Sequence, residues 1–213
     1  MAFLLLGSML LICSGCLQQL FTLGAVMIKG RNVDPKYDDL EKQKVVVVAR
    51  SLASDQFENE TVPIDLMKIL TAKFGRNIKK VEMVDYREVD KWLDDSSNML
   101  EDFLEIGRDL DAEMVVGIDI EGFSIYESQT LYRGRAKVTV SVYDCETGNR
   151  IIEENLPEII YPPNMPVSAG DRNANDFRRE FVDVVSGYIG RLFYPYDPRK
   201  LYAQDADALR YVQ

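Results

Sequence analysis

Residues 1–28 carry no charged side chain; the first is Lys29. Such a stretch cannot lie on the surface of a water-soluble body without exposing a large apolar area. It is either cut away or held in a membrane. As one helix, residues 3–28 exceed the ~20 residues that a bilayer crossing needs. Lys29 and Arg31 would then form a cytoplasmic basic flank. Ser14, Gly15 and Cys16, and then Gln18 and Gln19, interrupt the run. Apolar Leu10, Leu11 and Ile12, followed by small residues directly before a cysteine, make the pattern of a processed leader.

Leu10-Leu11-Ile12-Cys13-Ser14-Gly15-Cys16 resembles a bacterial lipobox, the sequence at which prolipoproteins are processed. The resemblance implies that the Cys16 thiol takes a diacylglycerol and that residues 1–15 are removed. It also implies an amide-linked acyl chain, such as palmitate, on the new amino terminus. A thiol suits the first step because it is nucleophilic near neutral pH. Two features depart from the family pattern: Cys13 stands where leucine is preferred, and no Lys or Arg precedes the apolar run. Leu17, not Asp, follows the cysteine. In bacteria with an Asp-based retention rule this implies the outer membrane, facing the periplasm. Two lipid attachments meet the requirement for stable anchoring, at about 0.8 kcal/mol per buried CH2.

Past that leader about 200 residues remain, enough for one compact domain with short extensions. The formal net charge is −10 and there is no histidine. Neutralising phosphates needs a basic surface, so nucleic acid is not an expected partner. Without histidine the chain lacks the commonest metal ligand and general base, and no metal or cofactor is expected. Of the three cysteines, Cys13 lies in the leader and Cys16 is the implied lipid acceptor, which leaves Cys145 as a lone thiol. The fold is therefore not expected to rest on disulfides.

Residues 17–28 stay apolar apart from Gln18, Gln19 and Thr22. Residues 29–44 are polar, with Gly30, Pro35, Asp38 and Asp39, and read as a tether leading into the fold. Val45, Val46, Val47, Val48 and Ala49 make an unbroken run between Lys44 and Arg50. That is the pattern of a strand buried on both faces. After a polar loop at 51–61, Pro63 suits a first helical turn. Ile64, Met67, Ile69, Leu70 and Phe74 form the stripe of that helix, and Gly75 marks its end. Residues 78–84 predict a second strand. Asp85 caps a short helix with Val89, Trp92 and Leu93, with Glu88 at the capping-box position.

Met99, Leu100, Phe103, Leu104, Ile106 and Leu110 predict another amphipathic helix. A strand follows at 114–120 and continues to Tyr126, with Gly122 as a bulge. Ala136, Val138, Val140 and Val142 alternate with Lys137, Thr139, Ser141 and Tyr143, which predicts a half-buried antiparallel strand over 135–143. Residues 144–149 form a hairpin connection with Gly148 at positive φ, and 150–160 form the return strand. Phe177, Phe181, Val184, Val185, Tyr188, Ile189 and Leu192 mark a closing helix that Pro195 and Pro198 stop. The sum is an α/β fold, a mixed, partly antiparallel sheet packed by helices. The expected division is a signal peptide at 1–15, a lipidated amino terminus and tether at 16–43, a globular domain at 44–194 and a tail at 195–213.

This order of elements resembles the bacterial envelope lipoproteins that share the fold of the TolB amino-terminal domain. That group includes the curli-secretion lipoprotein CsgG and the penicillin-binding-protein activator LpoB. The residues that carry the likeness are 44–49 as first strand, the 64–74 helix, and Asp109-Leu110-Asp111-Ala112-Glu113-Met114-Val115-Val116-Gly117 as a strand lead-in. Strand 136–143 running into Asp144-Cys145-Glu146-Thr147-Gly148 completes it. Leu110-Asp111-Ala112 departs from the family, which more often has glycine there, and no pair of membrane-spanning hairpins is evident. The resemblance implies a non-enzymatic module that binds an envelope protein or assembles with itself. A curli-type secretion or pore component is the alternative, with 124–143 as its candidate hairpin region.

Asp119 and Glu121 share a strand face, as the paired carboxylates of a hydrolase do. An exposed polar face accounts for them equally, so an envelope hydrolase is a further alternative. Asp94, Asp95, Glu101 and Asp102 lack the alternating ligands and glycine of a calcium loop, and read as a solvated helix start. Asp109 and Asp111 read as capping or surface residues. Cys145 has no histidine to activate it and reads as a turn residue or small half-buried hydrophobe. No glycine-rich phosphate-cradling loop is present. Tyr194, Tyr196 and Tyr202, set among Pro195 and Pro198, either form a partner-docking segment or fold back on the body.

Overall fold

The computed structural model of the chain describes residues 32–52, 61–95 and 102–199. The valine run becomes β1 (Lys44–Ser51), and residues 45–49 are at most 3% exposed. α1 (Val62–Asn77) leads to the short strand β2 (Glu82–Met83), then to α2 (Tyr86–Asp95) and α3 (Phe103–Asp109). β3 (Met114–Ser128) turns back through β4 (Leu131–Asp144), followed by β5 (Arg150–Asn155), β6 (Ile159–Tyr161) and β7 (Val167–Ser168). α4 (Ala174–Gly190) closes the order. The sheet runs β2-β1-β3-β4-β5, with β6 and β7 pairing with the first half of β4. β1 is parallel to β2 and β3, and the other pairings are antiparallel. This is the mixed, partly antiparallel sheet that the hydrophobic pattern predicts.

Strand alternation sends successive residues to opposite faces, and both faces of β1 and of residues 114–120 of β3 are covered. Ile120 and Val138 meet Val62 and Leu66 of α1 and Val182 and Val185 of α4. On the other face, Phe103 of α3 lies so close over Gly117 that a Cβ there would come within 2.5 Å of the ring. α1 and α4 are clamped to each other by Lys73. Its Nζ donates to Ser186 Oγ at 2.8 Å and to the Asp183 carbonyl at 3.1 Å, and pairs with the Asp183 carboxylate at 2.8 Å. At the far end of the sheet an aromatic layer joins β3, β4 and β6 to α4. Phe123 lies 5.0 Å from Phe181, and Tyr132 stacks on Phe177 at 5.4 Å. The Tyr161 hydroxyl donates to Glu180 at 2.5 Å.

Several boundaries differ from those the sequence predicts. α1 does not end at Gly75 but runs on to Asn77, where the Asn77 side chain donates to the Lys73 carbonyl at 2.7 Å. Buried Phe74 and Ile78 hold that last turn in the core. β2 shrinks to two residues because the chain turns at Lys80, whose φ is 56°. β4 begins at Leu131, not at residue 135. Gly134 is a strand residue whose missing side chain makes room for the Phe181 ring. The return strand splits into β5 and β6 around Pro157, which has no N–H to give the ladder. The Gly122 bulge and the positive φ of Gly148, at 73°, are both present. Met99 and Leu100, expected in the third helix, lie outside the described residues; α3 starts after Asp102, whose carboxylate accepts from the Leu104 N–H at 2.9 Å.

Residues 32–43, the inner part of the predicted tether and lead-in, are strapped to the body. Val33 and Tyr196 exchange backbone hydrogen bonds of 2.9 and 3.1 Å, and the Tyr37 N–H donates to the Leu192 carbonyl at 2.8 Å. Leu40 is buried. Lys36 Nζ and the Tyr37 hydroxyl both donate to Glu154 Oε2 on β5, at 2.6 and 2.9 Å. The Lys36 hydrogen bond, with a smaller contribution from Tyr37, holds the Glu154 carboxyl below the usual carboxylate range, against a weaker opposing effect of burial. A depressed carboxyl stabilises the strap above its unfolded value and loses that contribution as pH falls through the folded one. Hydrogen exchange at the Val33 and Tyr37 amides should therefore quicken, after correction for intrinsic rates, once pH drops below the carboxylate range. Glu154→Gln should remove that pH dependence; protection that persists unchanged into acid would contradict the clamp. Separately, Gly134→Val should drive a branched side chain into the Phe181 ring. Overpacking of this kind costs typically about 1–3 kcal/mol, readable as a lower midpoint in urea unfolding.

Candidate functional site

α3 is seven residues long and covers only part of its face of the sheet. Beyond Phe103 that face is open and polar. Arg50, the residue after the buried run of β1, lays its guanidinium 4.4 Å over the Phe103 ring and donates Nε to Asp119 Oδ1 at 2.5 Å. Their side chains are 28% and 18% exposed. One step along the sheet, the Thr139 hydroxyl lies 2.6 Å from Glu121 Oε1 and 2.7 Å from Asn155 Oδ1. A hydroxyl has one proton, and the charged carboxylate is the stronger acceptor for it. Next to this group is a cleft of about 320 Å³, lined by Glu121, Gly122, Ser124, Arg135, Lys137 and Glu158 among others. Arg135 spans it, pairing with Glu127 at 3.3 Å and Glu158 at 3.6 Å.

Asp119 and Glu121 are thus brought onto one open face, as the alternation predicts, but each is committed to a neighbour. Their neighbours are not evident from the sequence. Arg50 falls at the strand end, and Thr139 and Asn155 are unremarkable polar residues of separate strands. Strand alternation carried to the pairing partners was the signal available: Arg50 faces Asp119 and Thr139 faces both Asp119 and Asn155 in register.

Cys145 is buried, and its sulfur packs against the position where Gly107 has no side chain. Burial pushes its thiol up, against a smaller opposing pull from Arg108 and a small further push from Asp144. The cleft of about 410 Å³ beside it is lined by Arg108, Asp111, Glu113, Asp144 and Glu146, among others. Several of these hold the local chain together. Glu113 accepts from the Lys44 N–H at 2.7 Å, Lys44 Nζ reaches Asp111 at 3.3 Å, and Asp144 accepts from the Thr147 N–H at 2.9 Å. Asp109 accepts from the Trp92 indole at 2.9 Å, joining α2 to α3. Of the acidic group weighed for calcium, Asp94 and Asp95 end α2 exposed and Asp102 caps α3, while Glu101 lies outside the described residues. Among the described residues no group of three or more Asp, Glu or Cys is placed to hold a metal ion.

Of the tyrosine segment, Tyr194 folds back into the core, edge-on to Phe74 at 6.3 Å. Burial raises its phenol. Tyr196 is half-buried beside Arg191, and Tyr202 lies outside the described residues, as does Cys16. The candidate hairpin region at 124–143 is built into the sheet. Its outward residues include Ser124, Arg133, Arg135 and Lys137, and charges on a lipid-facing strand surface are costly.

No family model matches the chain, and no curated protein matches it. The chain is loosely similar to several solved structures. Dodecameric PelC of Paraburkholderia phytofirmans is 10% identical and has a TM-score of 0.46 over 76% of this chain and 97% of that one. The lipoprotein GNA1162 of Neisseria meningitidis is 8% identical, with a TM-score of 0.42 over 68% of this chain and 96% of that one. The hypothetical protein CT253 of Chlamydia trachomatis is 17% identical, with a TM-score of 0.33 over 69% of this chain and 98% of that one. Likeness at this level is loose, and a fold in any case does not fix a function.

The environment of Cys145 has a direct consequence. In the folded chain its thiol should react with a disulfide reagent at least about ten-fold more slowly than an exposed cysteine, because the thiolate is the reacting form. Unfolding in urea should abolish the difference; fast reaction in the native state would show that the thiol is accessible.

Proposed function

We propose that the chain is a bacterial envelope lipoprotein, lipidated at Cys16, whose α/β body acts by contact and not by catalysis. The observation that carries the contact reading is the state of the two strand carboxylates. Asp119 is ion-paired with Arg50 at 2.5 Å, and Glu121 holds the Thr139 hydroxyl at 2.6 Å. A general acid or base must meet the proton it transfers, and both groups already face partners of their own. The open polar face of β3, β4 and β5 is the contact surface this reading assigns, toward an envelope protein or a further copy of the chain.

Anchoring is supported by the charge-free run of residues 1–28 and by the lipobox resemblance. No helix among the described residues is long and apolar enough to cross a membrane. Leu17 after the lipid cysteine favours the outer membrane and a periplasmic body. The tether then raises the effective concentration of the contact face near membrane partners.

The test is recovery of a membrane phenotype in a deletion strain, with protein level measured beside it. Asp119→Ala and Glu121→Ala should each leave recovery within a few-fold of the natural chain. Loss of a catalytic acid or base removes a factor of about 10² to 10⁴, so complete loss from either change at normal abundance would revive the hydrolase. Lys137→Glu combined with Thr139→Arg, which reshapes the contact face, should abolish recovery.

A further inference from the structure

We infer that the face around Val33, Tyr188, Arg191 and Tyr196 rests on the lipid surface, with Arg191 at the level of the phosphates. The inference rests on the proposed anchoring with the apolar run embedded as far as Ile28, either as a bilayer-crossing helix or as residues 17–28 lying in the membrane behind a lipid on Cys16.

The place where the chain leaves the body sets the geometry. The paired backbone hydrogen bonds between Val33 and Tyr196 fix the chain to the body from residue 33 onward. The apolar run stops at Ile28. Five residues from there to Val33 reach no more than roughly 18 Å, at about 3.6 Å each. A membrane that holds the run up to Ile28 therefore lies within that distance of Val33. The connecting stretch contributes Lys29 and Arg31, which suit a headgroup layer.

The side chains at the exit fit the same layer. Val33 is 44% exposed. The Arg191 guanidinium lies 4.0 Å over the Tyr188 ring and 5.0 Å from the Tyr196 ring. Tyrosines concentrate where one end of a ring is apolar and the other wet. A guanidinium is weakly hydrated and binds phosphate through two parallel N–H bonds. Of the carboxylates nearby in the chain, Asp197 is paired with Arg199 at 2.7 Å. α4 lies on the opposite side of the sheet from α3, so a lipid contact at the end of α4 leaves the open polar face clear for a protein.

The test uses the full-length chain in vesicles of phosphatidylethanolamine and phosphatidylglycerol containing a lipid brominated near its headgroup end. In a chain carrying Val33→Trp and Trp92→Phe, the introduced tryptophan should lose roughly half its emission, because interfacial groups sit within about 5–10 Å of the headgroup–acyl boundary. Trp92 of the natural chain, bonded to Asp109 beside α3, should not be quenched. Tyr196→Trp in the same background is the second probe and should be quenched likewise. Adding Arg191→Glu should reverse the quenching without changing how much chain floats with the vesicles. Chain that floats with both probes unquenched overturns the lipid-facing surface and leaves anchoring standing. Chain that does not float overturns both.

Discussion

Two-sided burial of β1 and of the first half of β3 is the constraint on which the remaining architecture depends. A strand whose neighbouring residues are all apolar must be covered on both faces, because alternation sends them both ways. Burying Val45, Val46, Val47 and Val48 is worth roughly 1.5–3 kcal/mol each before chain entropy is counted. The partly exposed Arg50–Asp119 pair at the end of the same strand contributes about 1 kcal/mol at most. The core therefore places β1, and the ion pair only finishes it. α1 and α4, clamped through Lys73, pack over one face. α3 covers the other for the length of its seven residues, and where it stops the sheet becomes polar. The candidate contact surface is thus a consequence of unequal cover.

Elements set by long hydrophobic patterns were legible in the sequence. The valine run, the Ile64–Phe74 stripe and the alternation from Ala136 to Val142 each have one period and one solution. What was not legible depends on contacts between distant residues. Nothing local to Gly134 says that a ring from α4 will lie over it, so the strand is legible only from residue 135. Gly75 has the form of a helix end, but Phe74 and Ile78 pull the next turn into the core. The split of the return strand was legible at Pro157, whose missing N–H could have been counted against a continuous ladder.

The site was legible in outline and not in its partners. Alternation put Asp119 and Glu121 on an open face, which the structure shows. It did not say that Arg50 and Thr139 would occupy them, because those residues arrive from other strands. The same limit applies to the tyrosine segment, where backbone pairing to Val33, 163 residues away in sequence, brings Tyr196 to the point at which the tether leaves. Under the proposed anchoring, the apolar run sets the level of the membrane and the strap carries that level to the body. Unequal cover of the sheet leaves a polar face on the side away from α4.

The most direct measurement of the central claim is the intact mass of the chain extracted from native membranes. A chain that begins at Cys16 and carries a thioether-linked diacylglycerol is the predicted result. A chain that retains residues 1–15 with a bare thiol at Cys16 would contradict the lipoprotein account and leave a spanning helix in its place.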